Sequence, residues 1–395
     1  HIGGVIEAEN DLLVASPELF RDRFEIEVRT GSNVKKILRD TKEIEVEDIG
    51  SGDVYREGYD ALLLSPGSEP LRPGIEGIDL PGIFTVGTIP DTRAIMHWTA
   101  HRNVSRAVVV GGGFIGLEMA ENLKKRGIAV TIVEMQQQVM PPIDPEMASF
   151  VHNPLRDQGV ELCFGDSVKG FRQDAGDRLT VVLESGRQVP ADLVILAMGV
   201  RPRVELVRDC GLPLGELGGI KVNELMQTHD RHIWAVGDAV EVDNTVSGKR
   251  DLIPLAGPAN RQGRIAAESI LGLSPDTCRF RGVQGTAVCG VMGLTVASTG
   301  LSEKKLKQQG READGGTVYE KIYLHPDHHA GYYPGAQTIT LKLIFSPADG
   351  RILGAQAVGM EGVEKRIDAI AMAIQQNGTV FDLEEAELCY APQYG

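Results

Sequence analysis

The segment RAVVVGGGFIGLEMAENLKKRGIAVTIVEM, residues 106–135, decides the fold because one short stretch carries a whole supersecondary unit. An apolar strand, Ala107 to Val110, runs directly into three spaced glycines, and an amphipathic helix follows them. A turn at Gly127 then leads into a second apolar strand that ends at Glu134. This order predicts a βαβ unit, in which two parallel strands are joined by a helix packed on one face of a sheet.

The three glycines, Gly111, Gly113 and Gly116, form the pattern G-x-G-x-x-G between strand and helix. The first permits a tight turn, the second lets the backbone approach a pyrophosphate, and the third lets helix and strand pack closely. The helix N-terminus then faces the negative charge of the ligand. We therefore predict a dinucleotide site here, against the alternative of a purely structural glycine turn.

Glu134 ends the strand after the helix, where an acidic residue can accept hydrogen bonds from the adenosine ribose. Its charge would repel a 2′-phosphate, and no arginine follows in MQQQ to neutralise one. The sequence therefore predicts NADH as the reductant, with NADPH less favoured. The alternative is that Glu134 is a solvated strand end.

The composition describes a globular protein with several domains. The chain has 395 residues, of which 42% are hydrophobic and 24% charged, and its net charge of −15 argues against a nucleic-acid partner. The longest apolar run, LVILAMGV, is too short to span a bilayer, so we expect no membrane association and a cytoplasmic location. Five cysteines without a C-x-x-C pair suit a reducing compartment, where they would be structural thiols.

Further elements follow from local patterns along the chain. Residues 1–58 alternate apolar stretches with turns and predict small strands, and Ala61 to Leu64 predict a buried strand. Strands are also predicted around VELCFG, RLTVVLES, RQVPADLVILAMG and IWAVGD, and a helix in ANRQGRIAAESILGL. From Arg281 onward the pattern changes to strands separated by turns, with a helix at EKRIDAIAMAIQQN and a solvated helical face at SEKKLKQQGRE.

Five motifs in a fixed order carry a resemblance to a known family: LLLSPG, VVVGGGFIGLEMAENL, VILAMGVRP, IWAVGDAVE and LAGPANRQGRIAAE. Together they resemble the flavin-dependent pyridine nucleotide-disulfide oxidoreductases, and within these the coenzyme A-disulfide reductase, NADH oxidase and persulfide reductase group. The resemblance implies an α/β fold with two Rossmann-like nucleotide-binding domains, one inserted into the other, and an α+β dimerisation domain. The implied divisions are an FAD domain at 1–94 and 213–280, an NAD(P)H domain at 95–212, and a dimerisation domain at 281–395.

The resemblance also assigns roles around two cofactors, FAD and NADH. Asp238, after Gly237, would hydrogen-bond the ribityl chain or adjoining phosphate of FAD, although it could instead only cap the following turn. The residues Leu255, Ala256 and Ala259 would direct a helix N-terminus at the flavin ring carbonyls. Phe114 would gate the nicotinamide or pack under its loop, and Glu118 would lie near the nicotinamide or be a solvated helix residue. The resemblance also assigns Ile115 and Gly199 to the nucleotide site, and Asn260 to contact with a thiol substrate.

The catalytic residues implied by the resemblance are Tyr332 in HAGYYPGA and Tyr390 in LCYAPQYG, which in the family reach the sulfur site of the partner subunit. Tyr333 competes for the first role, and packing tyrosines are the alternative for both. The family's first G-x-G-x-x-G and its redox cysteine are not found in these residues. We therefore expect an internal portion of a longer protein, and none of the five cysteines is predicted to be the nucleophile.

The resemblance implies a homodimeric enzyme that passes hydride from NADH to FAD and electrons on to a small disulfide or persulfide such as coenzyme A disulfide. An NADH oxidase that reduces oxygen is one alternative, and an inactive NAD-binding, dimer-forming fragment is another. The cluster HPDHHAG offers His325, Asp327, His328 and His329, but it lacks the spacing of a known zinc motif, so no metal site is predicted.

Overall fold

A computed structural model describes residues 1–174, 178–273, 279–310, 312–313 and 316–394. The α-helices are α1 (Pro17–Phe24), α2 (Ile89–His101), α3 (Phe114–Lys125), α4 (Pro145–Asp157), α5 (Glu205–Asp209), α6 (Ala256–Ile270), α7 (Glu303–Gln308), α8 (Val363–Gln375) and α9 (Val380–Glu384). Short 3₁₀ turns lie at Glu9–Leu12 and Gly237–Ala239.

The strands are β1 (Ser32–Leu38), β2 (Glu43–Asp48), β3 (Val54–Gly58), β4 (Leu62–Leu64), β5 (Ser68–Pro70), β6 (Ile83–Thr85), β7 (Arg106–Val110), β8 (Ala129–Glu134), β9 (Glu161–Phe164), β10 (Val168–Gln173), β11 (Leu179–Leu183), β12 (Gln188–Ala191), β13 (Leu193–Leu196), β14 (Val200–Pro202), β15 (Ile220–Lys221), β16 (Ile233–Ala235), β17 (Val240–Asp243), β18 (Arg250–Asp251), β19 (Ala287–Val291), β20 (Leu294–Gly300), β21 (Glu312–Ala313), β22 (Gly316–Thr317), β23 (Glu320–Leu324), β24 (Thr340–Phe345) and β25 (Ile352–Gly359).

The chain divides into two compact units, each built from separated segments. Unit 1 comprises Gly3–Glu69 and Val200–Val283 together with His1, and unit 2 comprises Pro70–Gly199 and Gln284–Gly395 together with Ile2. Each unit therefore depends on pairing between segments that are remote in sequence.

Unit 1 is built around a short parallel pair, in which β16 lies beside β4 with Ile233 opposite Leu62 and Ala235 opposite Leu64. Its core consists of buried apolar side chains from β16, from the strands around it and from α6, among them Ile220, Val240 and Ile265. An antiparallel sheet of β1, β2 and β3 forms a separate layer of this unit. The parallel pair brings the two strand ends LLLSPG and IWAVGD to the same edge.

The predicted βαβ unit is confirmed in unit 2. Strands β7 and β8 are parallel, with Arg106 opposite Ala129 and Val110 opposite Val133, and α3 joins them. They belong to a five-stranded parallel sheet in the order β6-β13-β7-β8-β9. The buried face of α3 packs into the core through Leu117, Ala120 and Leu123. This packing fixes the direction of the α3 N-terminus, where the glycine loop lies.

The carboxyl-terminal part of unit 2 is an antiparallel sheet in the order β19-β20-β25-β24-β23, on which α8 packs. Its hairpin β19–β20 shares the hydrophobic core of α3 through Cys289, Val291 and Val296. The backbone N–H of Met292 at the hairpin turn donates to the Glu121 carboxylate of α3, at 2.7 Å. The helix that follows the glycine loop is thus held from both of its long sides.

Three local predictions are wrong, and each failure has a physical reason. The stretch at residues 61–64 is not fully buried, because its only strand partner among the described residues is β16 and Leu63 stays exposed. Within residues 1–58, the apolar stretch EIEVRT (25–30) is not one of the predicted small strands, because it directly follows α1 (Pro17–Phe24) and begins at Glu25 in a left-handed conformation. SEKKLKQQGRE is not a wholly solvated face, because Glu303 and Leu306 are buried.

None of the helices in the described ranges combines the length and the apolar character that spanning a bilayer requires.

Candidate functional site

The glycine loop of unit 2 connects β7 to α3, and its glycines differ in what surrounds them. Gly111 has a φ of +109°, and a Cβ there would lie 2.2 Å from the carbonyl oxygen of Ala197. A Cβ on Gly116 would lie 2.0 Å from the carbonyl oxygen of Gly111. A Cβ on Gly113 would meet no described atom within 4 Å. The first and third glycines are therefore needed for packing, whereas the second borders open space.

The start of α3 offers backbone donors to that open space. Gly113 is the residue before the helix, and no side chain caps it. The first turn of the helix therefore has N–H groups that are not used by a capping side chain, and the helix dipole adds partial positive charge. An anionic pyrophosphate fits this arrangement of donors, charge and open space.

The Glu134 carboxylate lies beside the same loop and is only 5% exposed. One oxygen accepts from the Gly112 N–H at 2.7 Å, and the other accepts from the Gln136 N–H at 2.8 Å. A solvated strand end does not fit a carboxylate that is buried and bonded in this way. Glu134 holds the loop and brings a negative charge to the ribose end of the predicted site.

The other predicted nucleotide residues are spread around the loop. Phe114 is partly buried and packs against the core of unit 2, which supports the packing alternative for this residue. Ile115 and Glu118 lie on the exposed side of α3, and Gly199 follows β13 with a φ of +101°. Gly199 and the glycine loop lie at the ends of adjacent parallel strands, since β13 pairs directly with β7.

A second polar site lies in unit 1, at the shared edge of β4 and β16. Gly237 has a φ of +83°, and its N–H donates to the Gln262 side-chain oxygen at 2.7 Å. The Ser68 hydroxyl donates to the Asp238 carboxylate at 3.0 Å. The parallel pairing of the two strands therefore brings Asp238 against the end of LLLSPGS. A carboxylate held by one hydroxyl retains acceptor capacity for the hydroxyl groups of a ligand.

Helix α6 begins at Ala256, and Leu255 before it supplies no side-chain cap. The N–H groups of Ala256 and Gly257 open the helix, Pro258 has no N–H, and Ala259 donates to the Leu255 carbonyl oxygen. Asn260 is exposed on the second turn. The uncapped end suits an electronegative ligand group, as expected for ring carbonyls of a flavin.

Two polar contributors to this site, Ser68 and Gln262, were not predicted from the sequence. Ser68 directly follows LLLSPG, and Gln262 is a buried polar residue on a helix whose other buried positions, Ile265 and Ala266, are apolar. A buried glutamine requires a hydrogen-bond partner, and here the Gly237 N–H provides it. The signal in the sequence was a polar side chain on the apolar face of α6.

The two tyrosines Tyr332 and Tyr390 come together in unit 2, although they are far apart in sequence. They are 78% and 71% exposed, and a hydrogen bond between their side chains raises the pKa of Tyr332. Tyr333 instead packs edge-on against the His329 ring, with ring centroids 5.6 Å apart. This geometry favours Tyr332 over Tyr333 as the partner of Tyr390.

The histidines of HPDHHAG bond to one another and to backbone. His325 lies 3.2 Å from the Thr340 hydroxyl, and Asp327 accepts from the Thr338 hydroxyl. His328 and His329 have ring nitrogens 2.7 Å apart. Within the described ranges these side chains are held by hydrogen bonds rather than arranged around a common centre.

Four of the five cysteines lie in the described residues, and each has a free thiol. Cys163 and Cys289 are buried, Cys210 is partly buried and Cys389 is exposed, whereas Cys278 lies outside the described residues. Burial raises the pKa of Cys289 to about 12, and the negative charges of Glu118 and Glu121 add to this effect. A thiol of that kind is a poor nucleophile.

Unit 2 also contains a buried charge cluster that the sequence did not predict, formed by Lys342, Asp144, Glu146 and Glu303. Lys342 on β24 is 0% exposed, and its ammonium contacts Asp144 at 2.7 Å, Glu303 at 2.5 Å, and Glu146. The three carboxylates converge closely enough to hold a metal ion, but the Lys342 ammonium already lies among them. The signal was a lysine at the centre of the apolar strand TLKLIF.

The charge cluster ties the start of α4 to the carboxyl-terminal sheet. Asp144, the residue before α4, also accepts from the backbone N–H groups of Glu303 and Lys304 and from the Gln356 amide. Hydrogen bonds from Lys321, Lys342 and Tyr319 hold the pKa of Glu303 down at about 2, against the opposing effect of burial. The same cations and hydroxyl thus keep this acid ionised inside the protein.

Comparison with known proteins gives consistent results over the whole chain. The family model described as pyridine nucleotide-disulphide oxidoreductase matches residues 3–263, and the model of its dimerisation domain matches residues 286–395. An NADH oxidase from Methanocaldococcus jannaschii is 36% identical over 393 residues, covering 99% of this chain and 84% of that protein. A coenzyme A disulfide reductase from Staphylococcus aureus is 31% identical over 393 residues, covering 100% of this chain and 86% of that protein.

Solved structures agree with these matches. The crystal structure of reduced Bacillus anthracis CoADR-RHD has a TM-score of 0.95 and 46% sequence identity, and it covers 100% of this chain and 69% of its own. The predicted mixed α/β fold followed by a dimerisation domain is confirmed by these comparisons.

Proposed function

Because the chain belongs to the pyridine nucleotide-disulphide oxidoreductase family, we propose that it is an FAD-dependent oxidoreductase that takes hydride from NADH and reduces a small disulfide or persulfide. The overall reaction is balanced when NADH, one proton and RSSR give NAD⁺ and two RSH. The observation that carries the proposal is the glycine loop, in which Gly111 and Gly116 are packed while Gly113 borders open space beside the buried Glu134.

On the nucleotide side, we assign the pyrophosphate to the N–H groups that follow Gly113 and the adenosine ribose to Glu134. Ile115, Glu118 and Gly199 complete this assignment around the nicotinamide end, and Phe114 packs under the loop beside them. The Glu134 charge favours a free 2′-hydroxyl over a 2′-phosphate because like charges repel at short range. NADH is therefore the proposed reductant.

On the flavin side, we assign Gly237 and Asp238 to the ribityl and phosphate region, and the α6 N-terminus with Leu255, Ala256 and Ala259 to the ring carbonyls. Bound FAD supplies the step that links a two-electron hydride donor to a sulfur acceptor. Ser68 fixes the Asp238 side chain, and Gln262 fixes the backbone at Gly237. These contacts prearrange the acceptor and donor groups before a ligand arrives.

For the sulfur substrate, we assign Tyr332 and Tyr390 as catalytic residues and Asn260 as a substrate contact. A tyrosine phenol is protonated at neutral pH, and the contact with Tyr390 raises the pKa of Tyr332 further, so its hydroxyl can donate to a departing thiolate. The exposure of both phenols suits residues that act at the site of a second copy of the chain. The matched dimerisation domain supports a homodimer, with coenzyme A disulfide as the proposed substrate.

The division into an FAD domain (1–94 and 213–280), an NAD(P)H domain (95–212) and a dimerisation domain (281–395) is part of this proposal, as is a cytoplasmic location. A second candidate acceptor is oxygen, favoured by the 36% identity to an NADH oxidase. Both candidates use the same nucleotide site and differ only in what accepts the electrons.

The discriminating experiment follows NADH consumption by the purified full-length protein with coenzyme A disulfide, with a polysulfide and with oxygen, each alone. Faster turnover with the disulfide than with oxygen supports the main proposal, and the reverse order supports the oxidase. A colourless protein that binds NADH but turns over none of the three would contradict both and indicate an NAD-binding module. Flavin absorbance measured on the same sample separates that outcome from a weak enzyme.

A further inference from the structure

We propose that His329 is a positioning residue, which holds the loop of Tyr332 through a directed chain of hydrogen bonds from Gln337 through His328 and His329 to Tyr333. The inference rests on the proposed role of Tyr332 in the sulfur half-reaction.

The direction of the chain begins at Gln337, whose backbone N–H can only donate. It donates to Nδ1 of His328 at 3.1 Å. The same nitrogen lies 3.3 Å from the Gln337 carbonyl oxygen, but that oxygen already accepts from the His328 backbone N–H at 2.9 Å. The shorter contact makes Nδ1 the acceptor, and a neutral His328 then carries its proton on Nε2. The Glu361 carboxylate lies 3.5 Å from the same Nε2, and a carboxylate acts only as an acceptor. The Gln337 N–H and the Glu361 carboxylate, on opposite sides of the His328 ring, therefore favour the same tautomer.

The chain continues into the second ring. Nε2 of His328 lies 2.7 Å from Nδ1 of His329, so the first donates and the second accepts. His329 must then carry its own proton on Nε2, which lies 3.2 Å from the carbonyl oxygen of Tyr333. Every donor in the chain meets an acceptor, and the chain ends on the backbone beside Tyr332.

The chain of hydrogen bonds ends at Tyr333, in the turn that carries the exposed Tyr332. Tyr333 N–H donates to the Ala330 carbonyl at 2.8 Å and closes the turn, and Ala330 N–H donates to the Pro392 carbonyl at 3.1 Å. The second bond links the turn to the segment of Tyr390. His329 is buried and packs against the Tyr333 ring, whereas Tyr332 is exposed. Arg366 of α8 fixes the backbone by donating to the His328 carbonyl at 2.9 Å.

The Nε2–H of His329 thus orients the Tyr333 carbonyl and, through the turn, the phenol of Tyr332 against that of Tyr390. Protonating both rings would place two N–H donors face to face across 2.7 Å. The charged groups that face the pair are Glu361 and Arg366, one of each sign.

The test uses three substitutions of His329, which separately retain the donor at Nε2, the acceptor at Nδ1, or only the packing of the ring. His329→Gln keeps a donor near Nε2, His329→Asn keeps an acceptor near Nδ1, and His329→Phe keeps only the ring packed on Tyr333. We expect flavin reoxidation by coenzyme A disulfide, measured by rapid mixing, to slow by about 10-fold in the Asn and Phe variants, as for loss of one hydrogen bond in a transition state. The Gln variant should remain close to wild type, and reduction by NADH should be unchanged in all three.

A second measurement does not depend on turnover. Nitrogen-15 NMR of the histidine rings in the unmodified protein should show both His328 and His329 protonated at Nε2, and an Nδ1–H tautomer at either would overturn the inference. Tyr332→Phe is the reference variant. If it reoxidises like wild type, the proposed role of Tyr332 is wrong, and the functional role of His329 with it. If it is impaired while His329→Phe and His329→Asn are not, only the inference about His329 is wrong.

Discussion

Replacing Lys342 by methionine should strongly destabilise unit 2. Methionine preserves an unbranched apolar side chain of similar length, but it leaves Asp144 buried without its ammonium, and Glu303 keeps only the ammonium of the part-exposed Lys321. Removing one partner of a buried ion pair typically costs about 3–5 kcal/mol, because the remaining charge stays uncompensated. We therefore expect the free energy of unfolding of unit 2 to fall by about 3–5 kcal/mol at neutral pH.

The lowered pKa of Glu303 makes the contribution of the same cluster to stability depend on pH. Its value of about 2 lies well below the ordinary 4.5. At about 1.4 kcal/mol per pKa unit, the lowered pKa of Glu303 corresponds to at most about 3 kcal/mol of folding free energy. Solvent screening at the exposed edge of the cluster, near Glu146 and Lys321, reduces this contribution to roughly 1–2 kcal/mol. Because the folded pKa is depressed, this stability is present above pH 4.5 and is lost as the pH falls towards 2.

The assay is urea unfolding followed by the fluorescence of Trp98, which lies in unit 2, with Trp234→Phe in every protein compared. Lys321→Met is the matched control, because Lys321 bonds the same Glu303 but is 41% exposed, and it should cost about 0–1 kcal/mol. The deficit of the Lys342 variant should shrink as the pH falls to about 4, because its unpaired buried carboxylates then take up protons. Equal stability of the two variants at neutral pH would refute this account of the cluster.

Three further outcomes follow from the candidate site. Gly116→Ala should prevent normal folding, because its Cβ would lie 2.0 Å from a carbonyl oxygen, and circular dichroism would show the loss. Gly113→Ala has open space around its Cβ, so it should fold normally and show a raised Michaelis constant for NADH in steady-state kinetics. Glu134→Gln removes the charge, and its single amide oxygen can accept from only one of the two N–H groups, Gly112 and Gln136, that Glu134 holds. We expect kcat/KM for NADPH relative to NADH to rise by about 10-fold, and an unchanged ratio would contradict the proposed nucleotide preference. Cys289, with its pKa raised to about 12, should resist alkylation in the native protein while Cys389 reacts, as read by peptide mass spectrometry.

The parts of the fold that the sequence predicted well are those specified by local patterns. The βαβ unit of β7, α3 and β8 combines two apolar runs, a glycine loop and helical periodicity in one stretch, so its parallel pairing was predictable. The hairpin β19–β20 and the strands β24 and β25 were predictable for the same reason. Their boundaries lie at glycines and turn residues, which act locally on the backbone.

The failures concern properties that depend on remote partners. Glu303 was placed on a solvated face, but its environment is set by Lys342, and nothing near it in the sequence shows that pairing. The strand at residues 61–64 is apolar throughout, yet its burial depends on what covers its second side. The site followed the same division: the glycines were predictable, whereas the contacts of Asp238 with Ser68 and of Gly237 with Gln262 require the folded chain.

The alternation of segments between the two units sets an order of maturation on the ribosome. Unit 1 has all of its segments once residue 283 has emerged, whereas unit 2 must wait for the carboxyl-terminal sheet. Until Lys342 is synthesised, 198 residues after Asp144, the acidic side chains Asp144 and Glu146 at the start of α4 lack their ammonium partner. Unit 2 therefore stays incomplete while roughly half the chain is synthesised, which takes about 10–40 s at 5–20 residues per second. Chaperones would be needed most during this interval.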